Sequence, residues 1–219
     1  MINCDLIYHS LPSLLYGVSI SIFVALFSCS IGIVVGCILG VIQWYGHPLL
    51  RSLVAVYVTI IRGTPMLIQI AFAFFVLPHI GITLPAVWIA ILAIGSNSSA
   101  YVSQIILSGI SAVGTGQIEA AQLLGLTRLQ IICHIVLPQA IRFTLPALGN
   151  EFITLIKDSS LASTIGVTEL FKQGQLIISR TYDAISIYTI VALIYLAMTG
   201  IIALMLNYGT KRMKKNVSG

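Results

Sequence analysis

The chain has 219 residues, of which 58% are hydrophobic and 8% charged, with a mean hydropathy of +1.04 and a formal net charge of +5. Soluble domains carry roughly 25% charged residues, so a water-facing surface cannot be built from this composition. A soluble enzyme, a nucleic-acid binder and a disordered chain are excluded, and an all-α polytopic membrane protein is expected. No Asp, Glu, Lys or Arg lies between Arg62 and Glu119, or between Asp183 and Lys211. Uncharged runs of that length span a bilayer.

In chain order, the first span is predicted over about 11–42. Ser28, Gly32, Gly36 and Gly40 fall there at four-residue intervals, a small-residue stripe that lets another helix approach closely in lipid. Trp44 and Tyr45 follow as interface aromatics. The Asp5-bearing start lacks a basic n-region, so no cleaved signal peptide is expected. A second apolar stretch, about 49–77, contains Arg62-Gly63-Thr64-Pro65. Proline breaks a helix interior, so an interfacial stretch should run to Arg62 and a kink or fresh start follow at Pro65. Spans three, four and five are predicted over about 84–110, 141–166 and 185–208. All five would belong to a single membrane domain covering residues 1–219.

Arg51, Arg128, Arg142 and the run Lys211, Arg212, Lys214 and Lys215 fall on one side of this arrangement. Lys172 and Arg180 fall on the other, offset by Glu169 and Asp183. The positive-inside rule then places the N-terminus outside and the C-terminus in the cytoplasm. No internal repeat is visible, which counts against many secondary transporters.

The loop over 111–138 reads as two short helices. Gly125 suits a C-terminal cap, Thr127 with Gln130 forms a capping box, and Pro138 ends the second helix or turns the chain. Leu123, Leu124, Leu126, Ile131, Ile132 and Ile135 leave apolar surface on a cytoplasmic loop. Such a patch either docks a partner or tucks against the protein's own spans.

On span three, Asn97, Tyr101, Gln104 and Ser108 share one helix face. Lipid cannot satisfy them, so the face either glues spans together or lines a watery path. Lys157 and Asp158 suit a helix break, with Asp158 or Ser159 capping a new helix through Ile165. Arg62 either snorkels to the interface or makes a gating contact. The four cysteines read as packing residues and the four histidines have no ligand spacing, so no metal is expected. There is no P-loop motif and no nucleophile–base pair, so neither ATP binding nor enzymatic catalysis is expected. If the chain moves a solute, the energy must come from another polypeptide or, in a secondary transporter acting alone, from an ion gradient. Glu151 or Asp158 would then be the obligatory intramembrane carboxylate.

Glu119-Ala120-Ala121, then Gly125, then Ile135 and Leu137-Pro138, resembles the EAA loop of bacterial ABC importer permeases. Arg62-Gly63-Thr64-Pro65, Asn97-Ser98-Ser99-Ala100-Tyr101, Leu145-Pro146-Ala147-Leu148-Gly149-Asn150 and Lys157-Asp158-Ser159-Ser160-Leu161 resemble the polar amino acid permeases of that class, of the glutamine, histidine and arginine type. The resemblance implies a type I (MetI-like) importer fold with five transmembrane helices, carrying a polar, glutamine-like amino acid across the bacterial inner membrane. It implies that Glu119, Ala120, Ala121 and Gly125 couple to a separate ATPase. It implies that Asn97, Tyr101, Gln104, Asp158 and Ser159 lie by the substrate path. The implied partners are a second permease subunit, identical or a paralogue, two ATPase subunits that bind the ATP, and an external substrate-binding protein. No cofactor is implied for this chain. One departure stands out. Members usually carry Ala-Glu-Ile followed by an Arg, where this chain has Ser103-Gln104-Ile105-Ile106-Leu107.

Overall fold

The computed structural model describes residues 2–215, with side chains through Thr210. The predicted C-terminal basic run therefore has side chains outside the described residues. The described residues form helices joined by short turns, with no strand. Four helices are long and apolar enough to cross a membrane, and five if one bent pair counts as a single span.

Helix α1 covers Cys4–Tyr45, starting well before the predicted 11. Asn3 explains the early start: its side chain accepts the Leu6 N–H at 3.0 Å and satisfies a donor the helix end would orphan. Helix α2 (Pro48–Gly63) and helix α3 (Met66–Val76) replace the single stretch 49–77, and meet at an angle of 103°. Thr64 and Pro65 are extended at this elbow, because Pro65 offers no N–H to continue the ladder. The kink expected at Pro65 is a right-angled corner.

Helix α4 (Ala86–Ser111) is the most enclosed span and packs along α1. The small-residue stripe explains their proximity. A methyl group built on Gly36 would sit 2.6 Å from Val102 Cβ and 2.8 Å from the Ser99 carbonyl. Gly32 and Gly40 meet Ser98 and Ile106 as closely, and the Ser28 hydroxyl donates to the Ile91 carbonyl at 3.2 Å. All four stripe residues are buried. Lipid-facing apolar side chains gain nothing from burial here, so close backbone contact and such hydrogen bonds hold the pair.

After α4 come α5 (Thr115–Leu123) and α6 (Arg128–Ile131), the two loop helices expected between 111 and 138. Gly125 between them has φ +77°, which an L side chain rarely adopts. The capping box is complete, with Thr127 and Gln130 each bonding the other's backbone N–H. Pro138 neither ends this helix nor turns the chain. A π-helical turn over Ile132–Val136 leads directly into α7 (Leu137–Asp158), with the Leu137 N–H reaching Ile132 O. The wider turn absorbs a proline whose missing N–H would otherwise interrupt an α-ladder.

The break predicted at Lys157-Asp158 is corrected as well. Asp158 is helical and makes no cap bond; the chain tightens into a 3-10 helix over Ser159–Ile165 and stops at Gly166, φ +87°. Adjacent polar residues thus mark a narrowing of one continuous helix rather than a new start. Helix α8 (Leu170–Thr181) lies in the segment read only as an outer loop, and α9 (Ala184–Lys215) covers the predicted fifth span.

Glu169 is not the surface counter-charge that its neighbours Lys172 and Arg180 suggested. It is fully buried and caps α8, accepting the N–H groups of Phe171 at 2.9 Å and Lys172 at 2.7 Å. Tyr195 of α9 donates its hydroxyl to the same carboxylate at 2.7 Å, and Ser21 of α1 donates at 3.3 Å. One side chain therefore ties three helices together.

Candidate functional site

The α2–α3 elbow faces α4 and α7 across a cavity of about 530 Å³. Arg62, Asn97, Tyr101, Glu151, Thr154 and Asp158 supply its polar walls. Their placement follows from local structure. Asn97 and Tyr101 are one helical turn apart on α4, and Glu151, Thr154 and Asp158 repeat at three and four residues along one face of α7. Arg62 enters from the last turn of α2, where the chain turns the corner.

Two contacts define the chamber's floor. The Arg62 guanidinium lies over the Tyr101 ring, 5.1 Å from its centroid, within cation–π range. The Glu151 carboxylate accepts the Ser98 hydroxyl at 2.7 Å. Arg62, Tyr101 and Glu151 also border a second cavity of about 330 Å³, which continues along α4 past Gln104 and Ser108 to Ala112. The three residues thus stand between two chambers that follow the predicted polar face of span three.

The residues named from sequence separate as follows. Asn97, Tyr101 and Asp158 line the upper chamber and Gln104 the lower one. The Gln104 amide donates to Gln43 of α1 at 2.7 Å, so it also joins two helices. Ser159 lines neither chamber; it is fully buried and donates to the Ile156 carbonyl at 2.8 Å, tightening the 3-10 turn. Three participants were not singled out for this wall. Glu151 was named only as the carboxylate of a transporter acting alone. Thr154 is recognisable only from its spacing to Asp158, and Gln69 on α3 holds Asn97 through a contact 28 residues apart in sequence.

At the other end, the loop splits its apolar residues in two. Ala121 and Ile131 are buried with Ile110 of α4 and Ala140 of α7, and Ile118, Leu126 and Ile135 pack against them. Leu123, Leu124 and Leu129 remain 90%, 80% and 71% exposed. Glu119 and Ala120 are exposed on α5, on the turn before them. The inward-tucking reading therefore holds for one set of residues, while the three leucines keep apolar surface exposed.

Helices long and apolar enough to cross a membrane, gathered around a polar chamber, make an arrangement suited to a permease. The family model described as binding-protein-dependent transport system inner membrane component matches residues 32–215, and the chain belongs to that family, as an ABC transporter permease integral to the membrane. The chain is 34% identical over 210 residues to the glutamine transport system permease protein of Escherichia coli K12, covering 95% of this chain and 96% of that one. It is 37% identical over 210 residues to a probable amino-acid ABC transporter permease of Bacillus subtilis 168, covering 96% and 93%. A solved structure described as an amino acid ABC transporter with histidines superimposes with a TM-score of 0.92 at 33% identity, over 97% of this chain and 99% of that one. The MetNI methionine ABC transporter shares the fold, with a TM-score of 0.74 at 23% identity, over 94% and 96%.

Proposed function

We propose that this chain is the membrane-spanning subunit of an ATP-driven importer of polar amino acids, glutamine-like among them. The observation that carries the proposal is the chamber at the elbow. Its volume suits a small solute. It brings one guanidinium and two carboxyl groups together with the neutral amide and hydroxyl groups of Asn97, Tyr101 and Thr154. A zwitterion needs that mixture: Arg62 for its carboxylate, Glu151 and Asp158 for its ammonium, and neutral donors and acceptors for a polar side chain. The relatives named for glutamine and amino-acid transport support the same substrate class. Gln104, where members usually carry Glu, gives the lower chamber a neutral amide on that wall, which favours an uncharged side chain.

ATP is bound by a partner ATPase, two copies of which dock on the Glu119 loops of two permease subunits. The exposed Leu123 and Leu124 beside Glu119, Ala120 and Ala121 supply the docking surface. Movement of α5 is passed on because its buried side packs against the ends of α4 and α7, the helices that wall the chamber. An external binding protein delivers the substrate, the N-terminus is outside and the C-terminus is cytoplasmic.

The test is uptake into vesicles carrying this chain with its ATPase and binding protein. Glutamine accumulation should require ATP and both partners. Full uptake by the chain alone, driven by a proton or sodium gradient, would overturn the reading.

A further inference from the structure

A third cavity, of about 380 Å³, lies away from the chambers at the corner where α1, α2 and the loop helices meet. Arg51 of α2 and Arg128 of α6 line it, and no Asp or Glu does among the described residues. Its remaining walls combine Trp44 and Tyr45 at the end of α1 with the Gln122 amide and the apolar side chains of Ile118, Ile131, Ile132 and Val136. The proposed transport path makes no use of this site.

Each part has a separate physical meaning. Arg51 is fixed in place, because its Nη2 donates to the Trp44 carbonyl at 2.6 Å. That bond uses one of five N–H donors, and the fork that remains matches a phosphate or carboxylate. Arg128 adds a second guanidinium to the same cavity, whose lining holds no acid among the described residues. Two cations above an apolar floor suit a ligand with an anionic head and a hydrocarbon body. Trp44 and Tyr45, in edge-to-face contact at 6.3 Å, close the long apolar helix α1, where aromatic side chains mark the boundary between hydrocarbon and headgroups. Basic pockets between spans on the cytoplasmic side are suited to anionic headgroups.

We infer that the Arg51–Arg128 cavity binds the phosphate headgroup of an anionic phospholipid from the cytoplasmic leaflet. The side of the membrane rests on the orientation proposed above; the chemistry does not. A bound lipid bridges the α1–α2 corner to α5 and α6, so it braces the loop through which the ATPase would act. A soluble phosphate compound shares the headgroup chemistry but leaves the apolar floor unfilled.

Lipid retention by the full-length chain, purified from membranes in detergent, tests this by native mass spectrometry with added dioleoyl phosphatidylglycerol, dioleoyl phosphatidylcholine or inorganic phosphate. Phosphatidylglycerol should be retained over phosphatidylcholine. Arg128→Gln should weaken that retention roughly 5-fold and the double variant Arg51→Gln/Arg128→Gln roughly 30-fold. Arg51→Lys/Arg128→Lys should restore most of it. Arg128 is exposed, so the single variant gives the comparison even if the double one fails to fold. Equal retention of the two lipids, or no loss in Arg128→Gln, overturns the site. Displacement of phosphatidylglycerol by millimolar inorganic phosphate assigns the cavity to a soluble ligand and overturns the lipid. No step depends on transport, so failed ATP-driven uptake leaves this result standing, and lost lipid selectivity with intact uptake overturns this inference alone.

Discussion

The Asn97 side chain on α4 donates to the Gln69 side chain on α3 at 3.0 Å, and the other end of Gln69 holds the elbow closed. Gln69 Nε2 donates to the Ile61 carbonyl at 2.7 Å and to the Thr64 hydroxyl at 2.8 Å, with the Thr64 carbonyl at 3.2 Å. Pro65 leaves carbonyls on α2 without ladder partners, and the Gln69 amide supplies donors for them. One amide therefore both satisfies the corner and fixes the position of a chamber residue. Gln69→Ala should cost about 1 kcal/mol by removing the hydrogen bonds that hold the elbow. Gln69→Glu should be at least as harmful, because it keeps the acceptor for Asn97 but turns an oxygen toward the elbow carbonyls. Thermal unfolding in detergent, with hydrogen exchange over 61–66, checks both. Wild-type exchange in Gln69→Ala would show that the elbow does not need the amide.

Glu169 combines local capping bonds with long-range ones to Tyr195 and Ser21. Phe171 N–H and the Tyr195 hydroxyl meet Oε2, while Lys172 N–H meets Oε1. Glutamine has a single acceptor oxygen, so Glu169→Gln must point an NH₂ group at one of these donors whichever way it turns. A loss of about 1–3 kcal/mol is expected. Tyr195→Phe removes one donor and leaves the carboxylate three others, so it should cost about 1 kcal/mol. A larger loss for Tyr195→Phe than for Glu169→Gln would reverse this order and refute the capping role.

The contrast between these residues explains what the sequence could and could not disclose. Charge depletion exposed the spans, and the four-residue spacing of Ser28, Gly32, Gly36 and Gly40 exposed the α1–α4 contact, because helix periodicity is local. The capping box at Thr127 and Gln130 and the corner at Pro65 are equally local. Glu169 looked like one charge in an outer loop because its partners Ser21 and Tyr195 are far away in the chain. Gln69 was invisible for the same reason. Lys157-Asp158 and Leu137-Pro138 misled differently: both looked like interruptions, and the backbone absorbed them through a 3-10 tightening and a π turn without breaking. Asn97 and Tyr101 were legible as part of a polar helix face from their spacing, whereas Asp158 was set beside the path only by the family resemblance. Ser159 shared that placement but points into its own turn.

The α1–α4 seam predicts a steric penalty that a control can isolate. Gly36→Val places its first carbon within 2.6–2.8 Å of Val102 and of the Ser99 backbone, which cannot move aside without separating the helices. Overpacking of that kind costs about 1–3 kcal/mol. Gly200→Ala on α9 meets nothing within 4 Å and should leave stability unchanged or slightly raised. Equal melting temperatures for the two variants would mean that the seam is loose in the membrane.

The loop makes the last prediction, because its two faces should fail in different ways. Leu123 and Leu124 are exposed and touch little of this chain, so Leu123→Asp/Leu124→Asp should change its stability by no more than about 0.5 kcal/mol per site. Both lie on the proposed docking surface, so ATPase co-purification and ATP-driven uptake should be lost. Ala121 is 3% exposed within the cluster that joins α5 to α4 and α7. Ala121→Asp buries an unpaired carboxylate there and should destabilise the chain itself, by about 3 kcal/mol or more, before any partner is added. Thermal unfolding of the permease alone, set beside co-purification with the ATPase, separates the two outcomes. If the leucine variants melt early or keep their ATPase, the exposed leucines belong to the fold rather than to the contact that drives transport.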